Sequence, residues 1–343
     1  MLHRGSVGSN RHITRDPWTT GTVSYDRGVM GRLAISPRVY RWITLGAVIA
    51  LAAIILTGAL VRLTGSGLGC PTWPDCSPGH LVAKSEASYH QQIEFWNRAF
   101  TGLVSIAVAL AVLGSLVRRP RRTELVWLSL GLVAGVIAQA ILGGLVVKKV
   151  LAPPWVMGHF LLSMVLLWNA ILLYHRAGQP GGRSEPVVDR QLLALGRVLF
   201  VLACAAVFTG TVVTGTGPHA GDRRAARLNF TLTDVARVHG VTVMTFLAVV
   251  LVTLWLAYHR RAPETVRRAL TVLLLVLVAQ AAVGYTQYFT GVPVALVAVH
   301  IVGAIAVFSA TTGLYLSLRR RTGVETATPE LEPAFPAGSL ARA

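Results

Sequence analysis

The chain has 343 residues, is 53% hydrophobic and only 13% charged, and has a mean hydropathy of +0.59. A soluble globule of this length needs more charge on its surface, so that class is excluded. A net charge of +18 would suit nucleic-acid binding, but the basic residues are placed as in a membrane protein, and no nucleic-acid partner is expected.

Residues 1–39 are polar, rich in Gly, Ser, Thr and Arg, and lack the apolar core of a signal peptide. They are predicted to be a disordered tail. Eight apolar runs follow, at Ile43–Val61, Phe100–Leu116, Leu125–Val147, Trp155–Tyr174, Leu192–Val213, Val241–Tyr258, Ala269–Tyr285 and Val292–Leu316. Each approaches the ~20 residues that cross a hydrocarbon core of ~30 Å. Backbone groups in lipid must pair within their own segment, so the runs are predicted helices and the fold an all-α integral membrane protein. The links expected on one side hold fourteen basic residues and those on the other hold six. This places both termini in the cytoplasm of a multi-pass cell-membrane protein. The Pro- and Ala-rich segment 321–343 is predicted to be a second disordered tail.

The loop at 64–93, after the first run, carries LGCPTWPDC, with Cys70 and Cys76 separated by five residues. The topology puts it outside, where disulfides persist. Such a pair can staple the loop or take part in thiol–disulfide exchange, and both readings stand. Cys204, within the fifth run, reads as a small apolar residue.

The chain repeats itself. Thr57, Gly58, Val61, Thr64 and Gly65 recur 152 residues later. AQAILG (Ala138–Gly143) recurs as AQAAVG (Ala279–Gly284), 141 residues later, and each is followed at the same distance by a histidine, His159 or His300. An offset of 142 aligns Asn97 with His239. The expected architecture is therefore two parallel-repeat four-helix bundles, at 40–176 and 192–320, joined by a cytoplasmic linker at 177–191.

His159, His239 and His300 fall at the starts of predicted membrane helices, where an ionisable residue points to function. One histidine from each of two helices suits haem, whose iron takes axial imidazoles and whose ring fills a bundle core. Zinc would want more ligands nearby. The second half thus offers a complete iron-binding pair, His239 and His300. The first offers His159 opposite Asn97, an incomplete site that suits a substrate. Glu94 lies one turn before Asn97 on the same face, and Ala236 stands at the matching place in the second half. Glu94 is either a helix-start carboxylate or an acid aimed into the first-half site.

Taken together, GSGLGCPTWPDC, IEFWNR, PPWVMGH, ARVHG and QYFTGVPVALVAVH resemble the haem A synthase family over about residues 40–320. The resemblance implies an oxidoreductase that converts haem O to haem A by oxidising a ring methyl to a formyl group, for terminal oxidase assembly. It implies that His239 and His300 ligate a haem b cofactor, that His159 holds the substrate haem, and that Glu94 is the catalytic carboxylate. Cys70 and Cys76 match the family's redox-active pair. Asn97 stands where many members have histidine, and in this the chain resembles actinobacterial members. Implied partners are haem O synthase, an aa-type cytochrome oxidase and membrane lipid; homo-oligomerisation is left open. Arg62, Arg98, Arg237, Arg223, Arg224 and Arg227 are candidates to pair with haem propionates. The rival reading is a quinone-linked b-type cytochrome that passes electrons without haem chemistry.

Overall fold

The computed structural model describes residues 34–70, 72–76 and 88–323. The tails read as disordered lie outside these residues, apart from their inner edges. Eight helices appear among the described residues: α1 (Pro37–Leu63), α2 (Tyr89–Val117), α3 (Thr123–Lys148), α4 (Pro153–Ala177), α5 (Arg190–Thr216), α6 (Leu232–His259), α7 (Glu264–Phe289) and α8 (Val294–Ser317). All eight are long and apolar enough to cross a membrane. The fold is that of an all-α integral membrane protein.

Helix ends extend past the apolar runs because capping chemistry lies in the flanks. Ser36 caps α1 by accepting from the Val39 N–H, with Pro37 at the first helical position. Asp189 caps α5 through the Gln191 and Leu192 N–H groups. The first tail, read as running to residue 39, thus ends where α1 begins at Pro37.

The structure adds one element that the apolar pattern did not show. β1 (Arg183–Pro186) pairs antiparallel with β2 (Arg319–Thr322). The linker is therefore partly a strand, and the tail read as starting at 321 is ordered through Thr322. Arg321 reaches Glu124 at 2.5 Å and Arg176 reaches the same carboxylate at 3.0 Å, so the ribbon is tied to α3 and α4 by charge as well as by backbone pairing. We call this the ribbon end of the molecule.

Toward the ribbon end each set of four helices has its own solid apolar core. In α1–α4 it includes Tyr40, Leu51, Val104, Leu125, Leu132 and Leu173. In α5–α8 it includes Leu199, Phe246, Val250, Leu270, Leu273 and Leu314. Ile55, Met164, Leu167 and Phe308 pack across α1, α4 and α8, so the two sets share an interface. The described residues from Ile35 onward form one compact unit.

The opposite end carries the cysteine loop and is hollow. Two of its helix connections are tight: Val150 and Leu151 are left-handed in the α3–α4 turn, and Gly291 and Val292 are left-handed in the α7–α8 turn. Left-handed valine is costly, so these turns are held by their surroundings. Each aims the start of a histidine-bearing helix, α4 or α8, into the hollow.

Candidate haem-binding site

The hollow end encloses a cavity of about 1080 Å³. Drug-sized pockets reach roughly 1,000 Å³, so there is room for a large ligand or more than one. Glu94, Asn97, His159, His239 and His300 all line it. The structure thus brings together the three histidines, Asn97 and the carboxylate read from the sequence, and the two cysteines sit on the loop beside them.

In α5–α8 the His239 and His300 rings face each other with centroids 6.4 Å apart and planes at 77°. Two metal–imidazole bonds of about 2 Å, plus roughly 1 Å from each nitrogen to its ring centre, give about 6 Å. The spacing therefore fits a metal between the rings. Thr209 Oγ1 lies 3.0 Å from His239 Nδ1. The Thr209 hydroxyl donates its own proton to the Ala205 carbonyl at 2.9 Å, so its oxygen accepts from Nδ1–H. That leaves the His239 Nε2 lone pair for a metal. His300 Nδ1 is buried and has no hydrogen-bond partner among the described residues.

In α1–α4 the matching positions hold His159 and Asn97. His159 Nδ1 and Asn97 Oδ1 are both buried without a partner among the described residues. Two buried polar atoms left unsatisfied cost free energy, which a ligand in the cavity would recover.

Each histidine rests on a glycine of a neighbouring helix. A Cβ built on Gly143 would lie 3.4 Å from His159 Cε1, one on Gly210 3.3 Å from His239 Cε1, and one on Gly284 3.0 Å from His300 Cε1. This gives a physical cause for the repeated TG and AQA…G motifs. The fourth equivalent, Gly58, has nothing within 4 Å of such a Cβ, since the shorter Asn97 does not reach it. The repeated glutamines have a role as well. Gln139 Nε2 donates to the His159 carbonyl at 3.1 Å and Gln280 Nε2 to the His300 carbonyl at 2.7 Å. Both clamp the helix turn that carries the histidine.

Cys70 and Cys76 form a disulfide, with Cα atoms 4.4 Å apart. Both cysteines are buried. The Cys70 N–H donates to Glu94 Oε2 at 2.7 Å, and Arg98 Nη2 donates to Glu94 Oε1 at 2.6 Å. A Cβ on Gly144 would lie 3.0 Å from the Trp73 ring, so this second glycine of the AILGG run lets the loop's tryptophan lie on α3. The second half has Tyr285 at the matching place and no such loop.

The candidate arginines separate. Both terminal nitrogens of Arg98 are engaged by Glu94 and loop carbonyls. Arg227 donates to the carbonyls of Gly217 and Pro218. Arg224 pairs with Asp222 at 2.9 Å, and that hydrogen bond holds the Asp222 carboxyl below the usual carboxylate range. Arg62 lines the cavity and reaches the Thr214 carbonyl, its own repeat equivalent, while its Nε is buried without a partner among the described residues. Among these side chains Arg62 best fits an anion inside the cavity.

A family model described as cytochrome oxidase assembly protein matches residues 40–221, just over half of the chain. The chain belongs to this family. It is similar to a protein named Heme A synthase from Lysinibacillus sphaericus, 35% identical over 128 residues, which cover 37% of this chain and 39% of that protein. It is 31% identical over 169 residues to a Heme A synthase from Exiguobacterium sibiricum, covering 48% of this chain and 55% of the relative. It is 28% identical over 170 residues to one from Listeria monocytogenes, with the same coverage. The chain thus matches between about two fifths and just over half the length of these relatives. Within the haem A synthase family, the matched region holds the cysteine loop, Glu94, Asn97 and His159, while His239 and His300 lie beyond it. Those two are marked instead by the internal repeat and by the geometry of their rings.

Proposed function

We propose that this protein is a haem A synthase, which oxidises a ring methyl of haem O to a formyl group. The observation that carries the reading is one cavity shared by two unlike sites: a facing histidine pair, and a single histidine accompanied by a carboxylate. The reading is further supported by the family and by a membrane setting suited to a substrate with a long isoprenoid tail.

In this reading His239 and His300 would hold a resident haem b. Bound there, haem b supplies one-electron relay chemistry. His159 holds the substrate iron, and Asn97 contributes hydrogen bonding, as in the actinobacterial type. Residues 40–176 then form the substrate half and 192–320 the cofactor half. The methyl carbon takes up the oxygen of one water and gives up two electrons and two protons to become an alcohol. A second such step gives a gem-diol that loses water to the aldehyde, and the electrons pass to an acceptor outside the chain. Each oxidation releases protons, and Glu94 is the carboxylate on the cavity wall that can accept one or stabilise positive charge on the reacting carbon. Helices packed from the ribbon end to the cavity floor keep bulk water from that side.

The basic-residue asymmetry supports a cell-membrane protein with both termini cytoplasmic and the cysteine loop outside. Haem O synthase upstream and an aa-type oxidase downstream are the partners this chemistry implies.

The test is haem extraction and chromatography from cells that make haem O, expressing wild type or Glu94→Gln. Haem A from the wild type and little from the variant is expected. Haem A from both removes Glu94 from the mechanism. No haem A from a well-expressed, haem-loaded wild type moves the assignment to an electron-transfer cytochrome, which the His239–His300 pair alone would also serve.

A further inference from the structure

The Arg98 guanidinium is the hub of the cysteine loop. Its Nη1 donates to the carbonyls of Thr72 at 2.9 Å, Pro74 at 3.2 Å and Asp75 at 3.1 Å. Its Nη2 donates to the Cys70 carbonyl at 3.4 Å and to Glu94 Oε1 at 2.6 Å. All four carbonyls lie within the ring of chain that the Cys70–Cys76 bond closes. With the ring closed, four carbonyls of one short segment converge on a single cation. The other Glu94 oxygen accepts from the N–H of Cys70 itself. Loop, arginine and carboxylate are therefore one hydrogen-bonded unit, one turn from Asn97 on the cavity wall.

We propose that Arg98 is a positioning residue that couples the Cys70–Cys76 bond to Glu94: the closed disulfide holds the carboxylate against the loop, and reduction by a dithiol releases it toward the cavity. In the reductive step a dithiol thiolate attacks one cysteine sulfur and displaces the other. The second thiol of the dithiol then resolves the mixed disulfide. Two electrons and two protons pass to the cysteines, and the dithiol leaves as its own disulfide. Opening the ring frees the loop backbone, and the carbonyls around Arg98 and the Cys70 N–H on Glu94 are no longer held together. Coupling of this kind is reciprocal: if the closed bond holds Arg98 and Glu94, then Arg98 and Glu94 favour the closed bond. The consequence for turnover rests on the proposed role of Glu94, but the coupling itself does not.

The experiment uses the full chain in detergent, equilibrated over a series of reduced-to-oxidised dithiothreitol ratios. Free thiols are then mass-tagged with a maleimide; Cys204 adds one constant tag. Wild type is compared with Arg98→Lys, Glu94→Gln and the double variant. Lysine keeps the charge but cannot present the guanidinium fork, and glutamine keeps the shape of Glu94 without its charge. Each single variant is expected to reach half-reduction at a ratio roughly tenfold lower, about 30 mV for a two-electron couple. The double variant should move less than the two shifts combined, because both act through one unit. Curves for Glu94→Gln and wild type that coincide within twofold overturn the proposal, and this arm decides even where Arg98→Lys folds poorly. A wild type that makes no haem A removes the proposed reaction and leaves the coupling standing. Coincident curves in a chain that does make haem A remove the coupling alone.

Discussion

Thr209 Oγ1 lies 3.0 Å from His239 Nδ1, one helix across from it, and leaves Nε2 as the free lone pair of the ring that His300 accompanies. The repeat equivalent of Thr209 is Thr57, whose hydroxyl donates to its own helix at the Ile54 carbonyl and meets no histidine. Thr209→Val keeps the shape and removes the hydroxyl. Outer-shell partners of metal-bound histidine are typically worth 10–100-fold in metal affinity. Haem retained per chain, read from the pyridine haemochrome spectrum, is expected to fall on purification, whereas Thr57→Val should leave it unchanged.

Four glycines form a graded series. Alanine at Gly284 would meet His300 at 3.0 Å, at Gly210 His239 at 3.3 Å and at Gly143 His159 at 3.4 Å, while at Gly58 it would meet nothing within 4 Å. Gly284→Ala should therefore lower b-type haem content most, Gly210→Ala less, and Gly143→Ala should act on haem A formation rather than on resident haem. Gly58→Ala should be silent. Equal effects at Gly58 and Gly284 would show that the cradle contact is not what matters.

The open space beside Gly58 also bears on Asn97. A histidine there would occupy the position that His239 holds in the other half. Asn97→His is expected to complete a second facing pair with His159, raising retained haem from about one to about two per chain when haem O is supplied. Release of product should slow. Haem-to-protein ratio and the rate of haem A appearance measure the two effects separately.

Asp189 gives a dependence on pH. Its hydrogen bond from Arg260, then the N–H groups it caps on α5, hold its carboxyl below the usual carboxylate range. A depressed carboxylate contributes stability above its unfolded value of about 4, and loses it as pH falls through the lower folded value. Wild type should therefore be more heat-stable than Asp189→Asn at pH 7, by a small margin since the group is mostly exposed. The gap should close as the medium is taken below pH 4.

The sequence by itself determined the membrane class, the eight spans and the three histidines. Apolar runs and charge asymmetry are properties of single segments, and an internal repeat marks equivalent positions without any knowledge of contacts. It did not show what the repeated glycines, glutamines and threonine were for. Gly143, Gly210 and Gly284 lie on one helix and the histidines they cradle on another, and a helix does not specify the register in which its neighbour packs. The β1–β2 ribbon escaped for a similar reason. Its strands are short, polar and 136 residues apart at Arg183 and Arg319, with no alternation to mark them. Arg98 shows the limit most plainly. Its sequence neighbours place it on the face of Glu94, but its four loop carbonyls come together only once the disulfide and the packing of Trp73 on Gly144 have fixed the loop over α2. Tertiary structure decided that one arginine serves both the carboxylate and the cysteines, because the closed loop, as packed over α2, brings those groups to a single point.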